Sequence, residues 1–179
     1  MADQAHLEIL KHGTDAWNEW RENNQGTSPK LSEIDFSGDF VDRADFSGIN
    51  LSGAYLDRAD LRWADLRGAN LNMADLRGAN LSFVDLRGAD LSSANLNGTI
   101  FERAILQETT LTNVDLAAFV NVEIIHRGRS VIDDRSIAKS LRCKNLLSFL
   151  VATGMPLTFA TYAIDSIRAL DPNSLFNLM

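Results

Sequence analysis

The chain has 179 residues, of which 45% are apolar, and a formal net charge of −7. Its single cysteine, Cys143, excludes an intramolecular disulfide, and the N-terminus lacks the basic and apolar regions of a secretory signal. We therefore expect a cytoplasmic protein. The acidic balance also argues against direct nucleic acid binding, because phosphate groups are bound by basic surfaces.

Residues 1–30 are predicted to form an N-terminal helical cap. A first helix should end at Gly13, and a second, beginning near Thr14, would carry Trp17 and Trp20 on one side. We expect these tryptophans to cover an open end of the element that follows, since an uncovered edge is prone to association.

An apolar residue recurs at every fifth position between residues 31 and 118. The position two residues earlier is mostly alanine, and the position two residues later is often glycine. A helix is excluded because five steps of about 100° give no constant stripe, and a straight strand is excluded because an odd period mixes its faces. The chain must bend once per repeat, at the glycine position, and coil around a common interior. The predicted core includes Leu61, Leu66, Leu71, Leu76, Leu81, Leu86, Leu91 and Leu96.

The repeats ADLRG (64–68 and 74–78) and ANLNG (94–98) resemble the A(D/N)LXX motif of the pentapeptide-repeat family. This resemblance implies an all-β solenoid, a right-handed quadrilateral parallel β-helix with four pentapeptides per coil and about four and a half coils in residues 31–118. At about 4.8 Å per coil, the rod would be on the order of 20 Å long. Leucine-rich repeats are the rival interpretation, but their period is about 20–29 residues.

The first coil is less regular than the others. Asp39 occupies a position that is usually alanine, and Val41 replaces leucine. The segment GDFVDR (38–43) is therefore the place where we expect a bulge or a shifted register.

Residues 119–179 are predicted to form one more strand and a C-terminal helical hairpin. Alternating apolar residues at 120–124 predict the strand, and two helices are expected at about 133–153 and 156–170. The uncharged stretch 145–164 is just long enough to cross a bilayer. Because glycine and proline interrupt it, we prefer a buried hairpin over a membrane span.

The sequence offers no catalytic constellation. Cys143 and His126 could act as nucleophile and base, but no third group is indicated that would orient them. The histidines His6, His12 and His126 are too dispersed for a metal site, and no glycine pattern suits phosphate binding. We therefore expect no enzymatic activity and no cofactor.

Residues twenty apart should stack on one face if four pentapeptides make a coil. One such file is a candidate protein-contact patch, because exposed aromatic and arginine side chains favour interfaces: Arg43, Trp63, Phe83 and Arg103. Alternatively, the aromatics are covered by a cap or only strengthen the wall. A neighbouring file is expected to be a self-neutralised solvated face: Asp45, Asp65 and Asp85 beside Arg67 and Arg87.

The leading functional hypothesis is a non-enzymatic structural or protein-interaction module whose partner is unknown. The family resemblance adds the alternative of an acidic DNA mimic that acts on DNA gyrase or another DNA-binding protein, although arginines interrupt the acidic surface. It also raises homodimerisation through the C-terminal helices, so the protein is expected to be a monomer or such a dimer.

A third hypothesis is a sensor or adaptor within a larger signalling protein. The flanking segments ILKHGTDAWNEWR and FLVATGMP resemble those of bacterial pentapeptide-repeat proteins that continue into a Toll/interleukin-receptor-like domain. No such domain is present in these residues, so no nucleotide-cleaving activity is implied. The hypothesis requires that the reading frame continue beyond Met179.

Overall fold

The chain forms a stack of coils with helices before and after it. The computed structural model describes residues 3–170, except for 28, 40, 120–124, 127–129, 133–134, 137–139 and 141–145. The helices are α1 (Gln4–Leu10), α2 (Thr14–Asn23), α3 (Leu146–Ala152) and α4 (Leu157–Leu170). The strands are β1 (Ile105–Leu106), β2 (Thr110–Leu111), β3 (Ile125–His126) and β4 (Val131–Ile132), with a 3-10 helix at Leu116–Ala118.

Successive coils are offset by twenty residues. Parallel bridges join Asp45 to Asp65 and Asp65 to Asp85, and bridges of the same spacing extend from Lys30 to Thr110. Each coil therefore contains four pentapeptides, as predicted. Strands β1 and β3 keep the spacing, whereas β2 pairs with β4 at a spacing of twenty-one residues, with Thr110 opposite Val131. One extra residue is thus accommodated between β3 and β4.

Backbone hydrogen bonds between coils follow a fixed pattern within each pentapeptide. The N–H groups of Leu76 and Gly78 donate to the carbonyls of Asn95 and Asn97, both at 3.0 Å. The carbonyl of Ala74 accepts from the N–H of Asn95 at 2.9 Å. Each repeat therefore offers two donors and one acceptor to the coil above it, and these groups need a partner wherever the stack ends.

The predicted leucine series lines the interior. All eight leucines from Leu61 to Leu96 are buried, with exposures of 0–3%. The alanines two residues earlier are buried beside them, because side chains two apart on an extended segment share a face. The core continues beyond the coils into the flanking helices through Leu10, Trp17 and Leu150.

The fifth position of each repeat turns the chain with a positive φ. Glycine is found there with φ values of 61–77°, which confirms the predicted bend. Ten other residues in the described chain adopt the same conformation at this position, including Arg58 (φ 60°) and Met73 (φ 59°). The corner is therefore set by the coil geometry even where the residue is not glycine.

Side chains of α2 close the lower edge of the first coil. The indole Nε1 of Trp17 donates to the carbonyl of Asp45 at 2.8 Å. The amide of Asn18 accepts from the Asp45 N–H at 2.8 Å and donates to the Arg43 carbonyl at 3.0 Å. In the next coil the equivalent N–H, that of Asp65, donates to the coil below it. These two side chains therefore substitute for a missing coil.

The cap also extends the apolar core. Trp17 is fully buried, and its ring lies 5.7 Å from that of Phe46. Arg21 donates to the carbonyl of Ser47 at 2.7 Å from a nearly buried position. The expectation that a tryptophan covers this end agrees with the contacts of Trp17, whereas Trp20 is only half-buried and packs against the core from outside.

Two serine hydroxyls complete hydrogen bonds in the last coil. The hydroxyl of Ser136 accepts from the N–H of Val114 at 3.1 Å and donates to the carbonyl of Leu111 at 2.6 Å. The hydroxyl of Ser140 accepts from the N–H of Leu116 at 2.7 Å and donates to the carbonyl of Ser136. Both serines are fully buried. The segment after β4 therefore covers this part of the upper edge with side chains.

The predicted irregularity in the first coil is wrong. Val41 donates its N–H to the carbonyl of Asp60 at 3.0 Å, and the N–H of Asp60 donates to the carbonyl of Asp39 at 2.9 Å. This is the same spacing as in the regular coils. The backbone pattern does not depend on the side chain at the alanine position, so exposed Asp39 leaves the register unchanged.

The C-terminal predictions are only partly met. Ser140 lies in a turn, so residues 133–153 do not form one continuous helix. Gly154 (φ 91°) and Pro156 separate α3 from α4 as predicted, and the two helices contact each other. The strand predicted at 120–124 lies outside the described residues. None of the helices in the described ranges is both long and apolar enough to traverse a bilayer.

Candidate protein-interaction surface

One corner of the stack carries large side chains in place of glycine. We call it the aromatic corner; it consists of Arg43, Trp63, Phe83 and Arg103. All four residues have a positive φ of 55–64°. The twenty-residue spacing places them one above another, as the sequence predicted.

The two aromatic rings of this corner are stacked. The centroids of Trp63 and Phe83 are 4.2 Å apart, and the ring planes differ by 3°. The guanidinium carbon of Arg103 lies 6.0 Å from the Phe83 centroid, at the limit of a cation–π contact. Trp63 is 56% exposed, so the described residues leave much of the indole uncovered. The corner thus presents two stacked aromatic rings with an arginine at each end.

The stack adds little to the stability of the fold. Placing a residue with a Cβ in the left-handed region costs roughly 1–2 kcal/mol, whereas an aromatic pair contributes about 0.5–1.5 kcal/mol beyond area burial. Both Trp63 and Phe83 have a positive φ, so this cost applies twice, at roughly 2–4 kcal/mol, and the ring contact does not offset it. Stabilisation of the wall is therefore a weak reason for aromatic residues at this corner.

The face beside the aromatic corner is polar and internally paired. The guanidinium of Arg87 donates to the carboxylate of Asp85 at 2.5 and 2.9 Å, and Arg67 donates to Asp65 in the same way. Arg67 also reaches Asp85 of the next coil, with 4.0 Å between Nε and Oδ2. The expectation that this file of aspartates is self-neutralised agrees with these contacts.

The same paired hydrogen bonds, from an arginine to the aspartate two residues earlier, are found on other faces of the stack. Hydrogen bonds from Arg62 and Arg77 hold the pKa values of Asp60 and Asp75 below the ordinary value. At Asp85, burial raises the pKa, but hydrogen bonds from the Arg87 side chain and backbone outweigh it, and the pKa is lowered. These carboxylates remain ionised and bound to arginine at neutral pH.

No catalytic or metal-binding cluster is found in the described residues. They contain no group of three His, Cys, Asp or Glu side chains that could hold a metal ion. Cys143 lies outside the described residues, so its pairing with His126 stays untested. Nothing in the described part of the chain indicates enzymatic activity.

Two features of the surface were not predicted from the sequence. The first is the closure of the first coil by hydrogen bonds from Asn18 and Arg21. In the sequence, the only indication of this role is that these two polar residues lie next to Trp17 and Trp20 in the same helix. The second is a groove of about 710 Å³ beside the repeat at 94–98. No signal for it is visible in the sequence, because the repeat pattern continues through Leu116.

A four-sided stack of five-residue repeats, with side chains of α2 on its first coil and serine side chains on part of its last, defines a repeat scaffold of the β-helix class. The sequence matches the model for pentapeptide repeats in eight copies over residues 44–82 and 85–117. The chain belongs to the pentapeptide-repeat family, whose members fold as right-handed quadrilateral β-helices. These proteins are generally non-enzymatic structural repeat proteins.

Solved structures of pentapeptide repeat proteins match between half and three fifths of the chain. The pentapeptide repeat protein Rfr23 from the cyanobacterium Cyanothece 51142 is 28% identical, with 59% of this chain and 86% of that one covered and a TM-score of 0.56. A pentapeptide repeat protein of the Arabidopsis thaliana thylakoid lumen is 36% identical, with coverages of 52% and 67% and a TM-score of 0.31. QnrB1, a plasmid-mediated fluoroquinolone resistance protein, is 16% identical, with coverages of 58% and 71% and a TM-score of 0.24. No curated protein matches the sequence significantly.

Proposed function

We propose that the protein is a non-enzymatic cytoplasmic scaffold that binds another protein through the aromatic corner. The observation that carries this proposal is the coplanar stack of Trp63, which is 56% exposed, on half-buried Phe83 at one corner of the coils. Aromatic and arginine side chains are enriched among the residues that dominate protein interfaces. A partner that lays an apolar side chain on the rings and a carboxylate beside Arg43 or Arg103 would fit this surface.

A covering cap and a purely structural role both account less well for the aromatic pair. A cap that covers the rings would bury Trp63, which is 56% exposed. A structural role would require the stack to stabilise the wall, whereas the ring contact does not offset the cost of two residues with a left-handed backbone. Binding to a partner would bury the exposed part of the rings and so contribute favourable free energy that the stack does not contribute in the free protein.

Serine substitutions separate binding from folding. Ser93 occupies a corner with φ 59°, so serine is compatible with the backbone there. We expect the double variant Trp63→Ser/Phe83→Ser to bind its partner at least about tenfold more weakly, with the melting temperature lowered by only a few degrees. The matched control is Met73→Ser, which removes an apolar side chain of 68% exposure from a different corner.

The partner is first isolated by affinity capture from the native host and purified, and the variants are then titrated against it. Unchanged affinity of the double variant together with a lower melting temperature would assign the stack to the wall instead. Turnover of a substrate that a point substitution abolishes would refute the non-enzymatic assignment.

The acidic DNA mimic is a second candidate, favoured by the charge of the coils. Residues 31–118 contain fourteen acidic and seven basic residues. Against it, Asp60, Asp75 and Asp85 are each bound to an arginine, which reduces the resemblance to a row of phosphates. A supercoiling assay with DNA gyrase tests this candidate, since a mimic at high excess inhibits or protects the enzyme.

Homodimerisation through the C-terminal helices also remains a prediction. Helix α4 buries Ala160, Ala163 and Ile164, while Phe159 and Tyr162 are 62% and 70% exposed. Light scattering of the purified protein distinguishes a monomer from a dimer. The sensor or adaptor hypothesis is tested separately, by reading the coding sequence beyond Met179.

A further inference from the structure

The repeat at 94–98 lacks the coil that should cover it. In the repeat below, the N–H groups of Leu76 and Gly78 and the carbonyl of Ala74 all bond to the next coil. The equivalent N–H groups of Leu96 and Gly98 have no acceptor in the described part of the chain. This edge therefore presents two free donors in the geometry that pairs with an extended backbone elsewhere in the stack.

The next turn of the chain leaves this edge because it adopts another conformation. Residues that would continue the stack form the 3-10 helix Leu116–Ala118, and the carboxylate of Asp115 accepts from the N–H of Ala117. The coils still meet on one side of the gap, where the Asn113 amide donates to the Ser93 hydroxyl at 2.9 Å. The result is a groove between the two segments and not a general separation of the coils.

The groove is large enough for a short peptide. Its volume is about 710 Å³, and on the described residues its walls include Asn95, Asn97, Gly98, Asp115 and Ala117. Ligand pockets in proteins typically have volumes of about 300–1,000 Å³.

We propose that this groove binds an extended peptide segment of another protein by adding it as a strand parallel to residues 94–98. One residue of the peptide would donate its N–H to the Ala94 carbonyl and accept from the Leu96 N–H. The residue two positions later would accept from the Gly98 N–H. Main-chain hydrogen bonds of this kind give affinity in strand addition, while the neighbouring side chains select the sequence.

The chain itself supplies a suitable probe. Residues 93–99 (SANLNGT) stack on the repeat at 74–78 through the same three groups that the proposed ligand needs. A capped synthetic SANLNGT peptide should therefore pair with the open edge at 94–98. The control peptide carries an N-methyl group on its first asparagine, which removes the N–H that would reach Ala94 and obstructs the approach.

Amide resonances provide a residue-specific readout. In the free protein, we expect the amides of Leu96 and Gly98 to exchange hydrogen faster than those of Leu76 and Gly78. Adding SANLNGT should shift the resonances of Leu96 and Gly98 and slow their exchange. The N-methylated peptide should bind at least about tenfold more weakly, because it lacks one donor and clashes with the edge.

A protein variant tests the site independently of the peptide. Ala117→Phe places a ring in the groove and should abolish the shifts, whereas Ala152→Phe, at an exposed position of α3, should not. The double variant Trp63→Ser/Phe83→Ser should bind the peptide normally, so failure here is distinguishable from failure at the aromatic corner. Melting curves confirm that each variant is folded.

Three outcomes would overturn the proposal. They are the absence of shifts at Leu96 and Gly98 at millimolar peptide, equal binding of the N-methylated peptide, and shifts at these amides that depend on protein concentration without peptide. The last outcome would assign the edge to a second copy of the chain.

Discussion

The Oδ1 of Asn18 takes the place of a preceding coil's carbonyl at the Asp45 N–H, and the Nδ2 of the same side chain adds a bond to the Arg43 carbonyl. The first of these hydrogen bonds is 2.8 Å long and the second is 3.0 Å long. One side chain thereby satisfies a donor and an acceptor on the same edge. An edge closed in this way is no longer a template for another strand.

Replacing Asn18 with alanine should destabilise the protein by about 1–2 kcal/mol, because the Asp45 N–H and the Arg43 carbonyl lose their partners. Thermal unfolding followed by circular dichroism measures the loss. The control is Asn23→Ala in the same helix, whose amide bonds only to the exposed Glu19 carbonyl and should change stability by less than about 0.5 kcal/mol. Equal effects of the two variants would contradict a capping role for Asn18.

Truncating a core leucine should be far more damaging than truncating its neighbour. Leu76 is fully buried, so we expect Leu76→Ala to cost about 2–5 kcal/mol and Leu76→Asp to unfold the middle coils. Arg77→Ala, one residue along on the exposed surface, should cost no more than about 1 kcal/mol. Urea unfolding measures all three, and a small loss for Leu76→Ala would mean that the core position is misassigned.

The closure of the last coil depends on a buried hydroxyl. Ser140→Ala removes the acceptor of the Leu116 N–H and should cost about 1–3 kcal/mol, since a buried donor is left unpaired. Ser148→Ala, at an exposed position in α3, is the control and should not destabilise the protein. Hydrogen exchange at Leu116 should accelerate in Ser140→Ala alone.

Stability should decline in acid but not between neutral pH and about pH 5. The pKa values of Asp60, Asp75 and Asp85 are lowered in the folded protein, so the folded state favours their ionised forms. This contribution is present above the unfolded-state pKa, about 3.9, and is lost as the pH falls through the lowered folded-state values. Melting temperatures measured from pH 7 to pH 2 should therefore fall mainly below about pH 4.

The double variant Arg62→Gln/Arg77→Gln is the control for this pH dependence. It removes the largest cause of the lowered pKa at Asp60 and at Asp75. Its melting temperature should fall by less between pH 5 and pH 2, because the folded-state pKa values of Asp60 and Asp75 then lie closer to the unfolded-state value. If the melting temperatures of the wild-type protein and the double variant change identically with pH, the hydrogen bonds from Arg62 and Arg77 do not contribute to the loss of stability in acid.

The repeated part of the fold is predictable from the sequence because one period determines it. The leucines at every fifth position define the interior, the glycines mark the bends, and four repeats per coil follow from the family resemblance. That register alone places Trp63 between Arg43 and Phe83 along one corner. It does not provide the ring geometry, since stacking depends on side-chain rotamers and not on spacing.

The ends of the stack are less predictable because they depend on single contacts. Asn18 and Ser140 are ordinary polar residues in the sequence, and only their positions against an open edge give them a role. The groove beside Asn95 arises because the backbone changes conformation near Asp115, although the five-residue pattern continues. A repeat pattern therefore predicts which residues face the interior better than it predicts where the coils separate.

The twenty-residue register makes the length of the rod adjustable in whole coils. The α2 side chains that close the stack bond to the first coil, and Ser136 and Ser140 bond to the last. Duplication of residues 51–70 would insert one complete coil and move the two ends apart by about 4.8 Å, without altering either set of contacts. Insertion of a single residue within a pentapeptide would instead shift the later leucines out of register, unless the extra residue is accommodated between two strands, as it is between β3 and β4. Adding whole coils of twenty residues therefore lengthens such a rod while keeping the register and the contacts at both of its ends.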